Sequence, residues 1–248
     1  MSEIQSLARG LRILKIMADA DHGIGVTELS EYLGVNKATA SRMVHTLLKA
    51  GFVEKAADGR RFQLGPALVS LSQVVINRFQ LHDIAHPFLK RLVEMTGECA
   101  HLAIYAQGQV LYIDQVQSDA TLRVNASIGH LAPLHCTALG KVLLAFGSYP
   151  LPEPLEQRTP ATITDKDQLL REIRLVYQRN YAIDDEEYDQ GVRCVAAPVY
   201  DYRKKLIAAL GISGPAIRIK PEQFDRLAAQ VIAICQALSD QLQFNQRG

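Results

Sequence analysis

Residues 36–50 read NKATASRMVHTLLKA, and on a helix their polar members gather on one side. Ala40, Met43, Val44, Leu47 and Leu48 form an apolar stripe, leaving Lys37, Thr39, Ser41, Arg42, His45, Thr46 and Lys49 outside with no acid among them. Hydroxyls and a guanidinium towards the N-terminal half of such a helix suit base edges and phosphates in a major groove, where the helix end itself favours anions. Arg42 is the first choice for reading a base, and Asn36, a good N-cap, belongs to the same surface. Shortly after, FVEKAADGRRFQLG holds an Asp58-Gly59 turn, with Arg60 and Arg61 at its tip placed for phosphates or a minor groove.

A second group of residues suits a small ligand. HCTALGK, residues 135–141, starts a helix near Thr137, and the free amides at such a start suit a carboxylate. VRCVAAPVY and LIAALGISG flank DYRKK as a hairpin. With Tyr200 and Ile207 closing the turn, Cys194 lies opposite Ser213 and Ala196 opposite Gly211, all on one face. That face is small and mildly polar, which leaves room for a ligand. Asp184 can reach the same region, whereas Asp185, Glu186 and Glu187 read as solvated acids.

Two other chemistries are weighed against these. His135 beside Cys136 suggests a thiol nucleophile with a base, but sequence neighbours point in different directions and no orienting third group is evident, so no enzyme is expected. A metal or redox sensor would draw on His101, His130, His135, Cys136 and Cys194. None of these forms a short C-x-x-C or H-x-x-x-H pair, so neither metal nor cofactor is expected.

The elements that must position these residues can be read from periodicity. Ile4, Leu7, Ala8, Leu11, Leu14 and Met17 predict a first helix with that face packed inward. VTELSEYLGV predicts a second, capped by Thr27 and stopped by Gly34, and the short turn to Asn36 makes a helix-turn-helix. The Arg-tipped hairpin is then a wing. Gly65-Pro66 opens a linker helix through Leu68, Leu71 and Val75. A further helix runs from about Leu81 to Thr96 with Ile84, Phe88, Leu92 and Met95 on its apolar face. ECAHLAIYA, VLYIDQV and TLRVNA read as strands in series, and TALGKVLLAFG as a helix. TDKDQLLREIRLVYQRN is a helix capped by Thr164, and PEQFDRLAAQVIAICQALSDQL a closing amphipathic one. The class is α+β, divided as residues 1–65, a linker 66–79 and a domain 80–248 with an antiparallel sheet.

Bulk composition narrows the setting. The chain has 248 residues, 48% hydrophobic and 21% charged, enough to bury a core. Its net charge of +1 means that any nucleic-acid surface must be local. MSEIQSLARGL lacks a secretory pattern, no apolar run approaches the roughly 20 residues of a membrane span, and the four cysteines are scattered; the reading is a cytoplasmic protein with reduced thiols.

Taken together, SLARGLRILKIM, VTELSEYLGVNKATASRMVHTLLKAGFV, PLHCTALGKVLLAF, YAIDDEEYDQGVRCVAAPV and ALGISGP resemble the IclR-type bacterial transcription regulators across residues 4–243. The resemblance implies a winged helix-turn-helix joined to a GAF-like effector domain, with control of catabolic operons by small carboxylates. It implies dimers built through the N-terminal helices, often paired into tetramers, on a palindromic double-stranded operator. It places effector contacts on Val124, Ala138, Leu139, Asp184, Cys194, Gly211 and Ser213, and a serine is frequent in the family where Gly211 stands.

Overall fold

The computed structural model describes residues 4–20, 22–71, 80–124 and 126–244. The chain divides into two compact units, Met1–Arg78 and Phe79–Gly248.

The first unit holds α1 (Gln5–Ala18), α2 (Val26–Leu33), α3 (Lys37–Lys49), β1 (Val53–Lys55) and β2 (Phe62–Leu64). Ile13, Met17, Leu29, Leu33, Val44, Val53 and Phe62 close on one another as its core, and Ile24 extends the hairpin by bridging to Phe62. Of the expected stripe, Met17 is buried and Leu14 packs against the core, with Ile13 beside them, whereas its N-terminal members stay outside. Ile4, Leu7 and Leu11 are 67%, 59% and 55% exposed, because α1 is apolar on two sides and a single chain covers only one. The cap of α2 also differs from expectation. Its N-cap is Gly25, whose amide donates to Glu28 Oε2 at 2.8 Å, so Thr27 lies inside the helix. Gly34 ends α2 with φ +63°. The connector is helical over residues 67–71, and the remainder of the predicted linker helix, with Val75, lies outside the described residues.

The second unit runs α4 (Gln80–Thr96), β3 (Cys99–Ala106), β4 (Gln109–Val116), β5 (Leu131–Ala132), α5 (Ala138–Phe146), α6 (Lys166–Arg179), β6 (Ala182–Asp185), β7 (Val192–Tyr200), β8 (Leu206–Pro215) and α7 (Phe224–Phe244). The strands form one antiparallel sheet in the order β5-β4-β3-β8-β7-β6. On one face α4 and α7 pack Leu81, Ala85, Leu89, Leu92, Val231, Ile234 and Leu238 against Leu102, Val195, Leu210 and Ile212. On the other, α5 packs Val142 and Leu143 against Ala103, Val110, Ala196 and Ala209, with Val176 of α6 outside it. Burying apolar side chains on both faces is what makes the sheet strands read as nearly continuous apolar runs.

Several expectations are corrected here. Within TLRVNA, residues 121–124 and 126 are not strand: Ala126 donates its amide to Gln115 Oε1 at 3.2 Å, and the edge of β4 is filled by β5 after a turn at Gly129. The short edge strand β6 was not foreseen. On α4 the expected Leu92 is buried and Ile84 and Phe88 pack against the core, but the deepest residues include Leu81, Ala85 and Leu89, and Met95 is exposed. Asp165 caps α6 in place of Thr164, its Oδ1 accepting from the Gln168 amide at 2.7 Å.

The β7–β8 pairing puts Cys194 opposite Ser213 and Ala196 opposite Gly211, as the period of two requires, although the turn is closed by Tyr200 and Leu206 through a bulge at Val199. At Gly211 the strands approach so closely that a Cβ would meet Val195 O at 2.4 Å and Ala196 Cα at 2.8 Å. Glycine is therefore a packing requirement in this chain. Gly211→Ala is expected to lower unfolding stability by about 1–3 kcal/mol, read as a lower urea midpoint with unchanged far-ultraviolet dichroism. An unchanged midpoint would show that β7 and β8 separate freely.

Candidate functional site

Two surfaces carry the residues singled out by sequence. On α3, Asn36 Oδ1 accepts from the Thr39 amide at 2.8 Å, which starts the helix and commits that oxygen to the cap. Lys37, Arg42, His45, Thr46 and Lys49 are exposed, Thr39 and Ser41 half-buried beside them. The Thr46 hydroxyl donates back to Arg42 O at 2.9 Å, and His45 Nδ1 lies 3.0 Å from Ser41 O. Arg42 keeps its guanidinium outside, its nearest polar neighbour being Thr39 Oγ1 at 3.5 Å. In the hairpin loop, Asp58 Oδ1 accepts from the amides of Arg60 and Arg61, each at 2.9 Å, and these bonds hold its carboxyl below the usual range, Arg61 most. Both arginine side chains are exposed. The face is thus cationic and rigidly mounted, with its donors turned outward.

In the second unit Val124, Ala138, Leu139, Asp184, Cys194, Gly211 and Ser213 all line a single cavity of about 280 Å³, between α5 and the sheet. It is walled further by His101, Tyr112, His130 and Tyr188. The start of α5 opens onto it. Thr137 Oγ1 accepts from the Gly140 amide at 3.1 Å, so the cap satisfies one donor. Among the described residues the amides of Ala138 and Leu139 find no acceptor, although both residues are buried. Buried unpaired amides at a helix start are rare and attract an anion.

Electrostatics at the back of the cavity are set by burial. Asp184 Oδ1 accepts from the amides of Glu187 at 2.8 Å and Tyr188 at 3.3 Å. Burial nevertheless pushes its carboxyl up to about 7, with the Lys141 charge and the two amides opposing. Cys194, its cross-strand partner, has its thiol pushed well up, first by burial and then by Asp184. His101 Nε2 lies 2.6 Å from Ser213 Oγ, and burial lowers its pKa to about 4, so the imidazole is neutral; its Nδ1 is buried without a partner.

Sequence reasoning missed the support for this site. Lys141, 1% exposed inside apolar α5, places Nζ 2.5 Å from Glu187 Oε1 and 3.9 Å from Glu172. Glu187 is accordingly buried and not solvated, while Asp185 and Glu186 pair with Arg193. The available signal was a lone lysine in ALGKVLLAF, which a buried helix tolerates only with a partner. His101 and Tyr112 had no sequence signal beyond strand position.

The side chains weighed for the two rival chemistries are placed as follows. The Cys136 thiol is pushed up to about 12, chiefly by burial, and so stays protonated, and His135 Nε2 is taken by Glu156 O at 2.9 Å. Among the described residues, His101, His130, His135, Cys136 and Cys194 do not bring three ligand atoms together; His82, His86 and Asp114 do. No helix of the described residues is long and apolar enough to cross a membrane.

Comparison with known proteins agrees with this arrangement. The IclR helix-turn-helix domain matches residues 6–57, and the C-terminal domain of the bacterial transcriptional regulator IclR matches residues 73–240. The acetate operon repressor of Salmonella typhimurium is 33% identical over 238 residues, covering 93% of this chain and 87% of that one. The regulator XynR of Escherichia coli is 31% identical over 245 residues, covering 96% and 97%. Among solved structures, the Thermotoga maritima IclR superposes with a TM-score of 0.75 at 28% identity, covering 97% and 100%. A homologue from Microbacterium hydrocarbonoxydans, solved with 4-hydroxybenzoate, shares the fold at a TM-score of 0.81 and 22% identity, covering 96% and 98%. These relatives are regulators and not enzymes, and the chain belongs to the IclR family of DNA-binding bacterial transcription regulators.

Proposed function

We propose that a small carboxylate, seated on the Ala138 and Leu139 amides, tunes the affinity of this regulator for a palindromic operator read by α3. The observation that carries the effector half is the pair of buried amides without acceptors, opening on a cavity that holds the seven contact residues. The carboxylate takes the amides, and Val124, Asp184, Cys194, Gly211 and Ser213 surround the rest of the molecule. The homologue of the same fold solved with 4-hydroxybenzoate supports an acid of this kind. Relatives named for the acetate and glycerol operons support a catabolic target.

On the DNA side, Arg42 reads a base, Lys37, Thr39, Ser41, His45 and Thr46 surround it, Asn36 orders the first turn, and Arg60 and Arg61 reach phosphate or the minor groove. A palindrome needs two copies. The exposed Leu7 and Leu11 of α1 line an apolar groove with Met43 and Leu47 of α3, and a second copy seated there would set two α3 helices side by side. Pairing of such dimers through the second units would give tetramers. Coupling is limited by the difference in effector affinity between the two arrangements of the dimer.

Arg42→Ala is expected to weaken specific operator binding by about 1–3 kcal/mol while sparing non-specific DNA, measured by fluorescence anisotropy at fixed salt. Equal loss on all sequences would move Arg42 to phosphate, and no loss would remove it from the interface. For the effector, a panel of small carboxylates should raise the melting temperature of the full-length protein, and Ser213→Ala should reduce the shift. Burial pushes the Asp184 carboxyl up to about 7. An anionic ligand beside it is disfavoured by the ionised form, so affinity should fall between about pH 6 and about pH 8 in the wild type and stay flat in Asp184→Asn. A wild-type affinity independent of pH would place the carboxylate away from Asp184.

A further inference from the structure

On the sheet face opposite the cavity, α4 brings two histidines to a buried carboxylate. His82 and His86 are four apart on one helix face, their rings stacked at 5.8 Å. Asp114 lies against them: His86 Nδ1 is 3.0 Å from Oδ2 and 3.2 Å from Oδ1, and His82 Nε2 is 3.5 Å from Oδ1. One ligand atom from each side chain can be chosen so that all lie within 4.8 Å of one another. The Asp114 side chain is 2% exposed, those of His82 and His86 28% and 35%, so the carboxylate is at the back and the open side faces solvent.

The backbone is shaped to put Asp114 there. Leu102 pairs with Asp114 but Ala103 pairs with Tyr112, so Ile113 is an extra residue in a bulge. Without it the period of two would send Asp114 to the face of Tyr112, which lines the cavity. The bulge re-aims the carboxylate to the α4 side, where among the described residues its ion pairs are to these two histidines alone.

We propose that His82 Nε2, His86 Nδ1 and Asp114 form a site for a divalent transition metal of the zinc, cobalt and nickel kind, completed by water. Two imidazoles and one carboxylate suit those ions over calcium or magnesium, which take oxygen. Bonds of about 2.0–2.1 Å in a tetrahedron set ligand atoms about 3.3 Å apart, close to the separations of Asp114 from the two imidazoles. His82 is placed for it. Its Nδ1 lies 3.2 Å from Oδ1 of exposed Asp83, which can hold the N–H there while the ion takes the Nε2 lone pair. A carboxylate behind a ligating imidazole is the usual outer support of such centres. On binding, His86 turns its Nδ1 lone pair to the ion and carries its N–H on Nε2, and the ion replaces the imidazole as the partner of Asp114.

The test uses the full-length protein stripped with a chelator and titrated with cobalt(II), followed by its visible absorption and displaced by zinc. The wild type should take up a single equivalent per chain, His82→Ala should take up none, and Asp83→Asn should bind about 10–100-fold more weakly. His82→Ala keeps the His86–Asp114 contact, so its melting temperature without metal should match the wild type, while zinc should raise only that of the wild type. Cobalt uptake equal in His82→Ala and wild type, or absent from folded wild type, would leave His86–Asp114 as a plain ion pair and overturn the proposal. So would uptake lost on Cys194→Ser and retained in His82→Ala, which would move the metal to the cavity.

Discussion

Lys141 stands one turn into a helix whose other buried faces are apolar, and its charge has to be met inside the protein. Glu187 meets it, and that contact fixes the chain after β6. Once fixed, the Glu187 and Tyr188 amides turn back onto Asp184, which keeps the carboxylate against Cys194 at the floor of the cavity. The same helix, held down on the sheet by Lys141 and by Val142 and Leu143, cannot rotate its open N-terminus away from that floor. Removing one partner of such a pair leaves an uncompensated buried charge, so the cavity and the ion pair stand or fall together.

The sheet between the two helical layers keeps two chemistries apart. Its α5 face carries neutral groups around unpaired amides: a histidine held uncharged by burial, a protonated thiol, and a carboxyl near half-titration at neutral pH. Its α4 face carries the imidazole pair and Asp114. One inserted residue, Ile113, decides which side Asp114 serves. A carboxylate added to the cavity would work against an anionic ligand, so the bulge also protects the α5 face electrostatically.

The N-terminal unit uses a simpler constraint. Its core is small, and α1 and α3 each bury one narrow stripe, Ile13 and Met17 on the first, Ala40 and Val44 on the second. Met43, Leu47 and Leu48 flank that stripe, and the opposite side of α3 is free to be chosen for its partner, which is why the acid-free face can run the whole length of the helix. The leftover apolar residues of α1 join Met43 and Leu47 in a groove that a single chain does not fill.

Local patterns were enough for much of this. The cap at Asn36, the stop at Gly34, the Asp58-Gly59 turn and the pairing of Cys194 with Ser213 follow from interactions within a few residues or from strict alternation along a hairpin. So does the acid-free face of α3, since a helix places its own side chains. What depended on distant partners was not legible. Two caps were missed although both are local: Glu28 accepts from the Gly25 amide and Asp165 from the Gln168 amide, each three residues away, where Thr27 and Thr164 are equally good cap types. Glu187 looks like one of three solvated acids until a lysine 46 residues away needs it. Asp114 and the His82–His86 pair are 28 residues apart at their closest and are joined by a bulge that no alternation predicts. The two apolar sides of α1 compete as well, and the packing of α2 and α3 turns Ile13 and Met17 inward while Leu7 and Leu11 stay outside. Short-range hydrogen bonds and periodicity are written in consecutive residues, whereas the matching of buried charge to buried charge is decided only when the fold brings the two together.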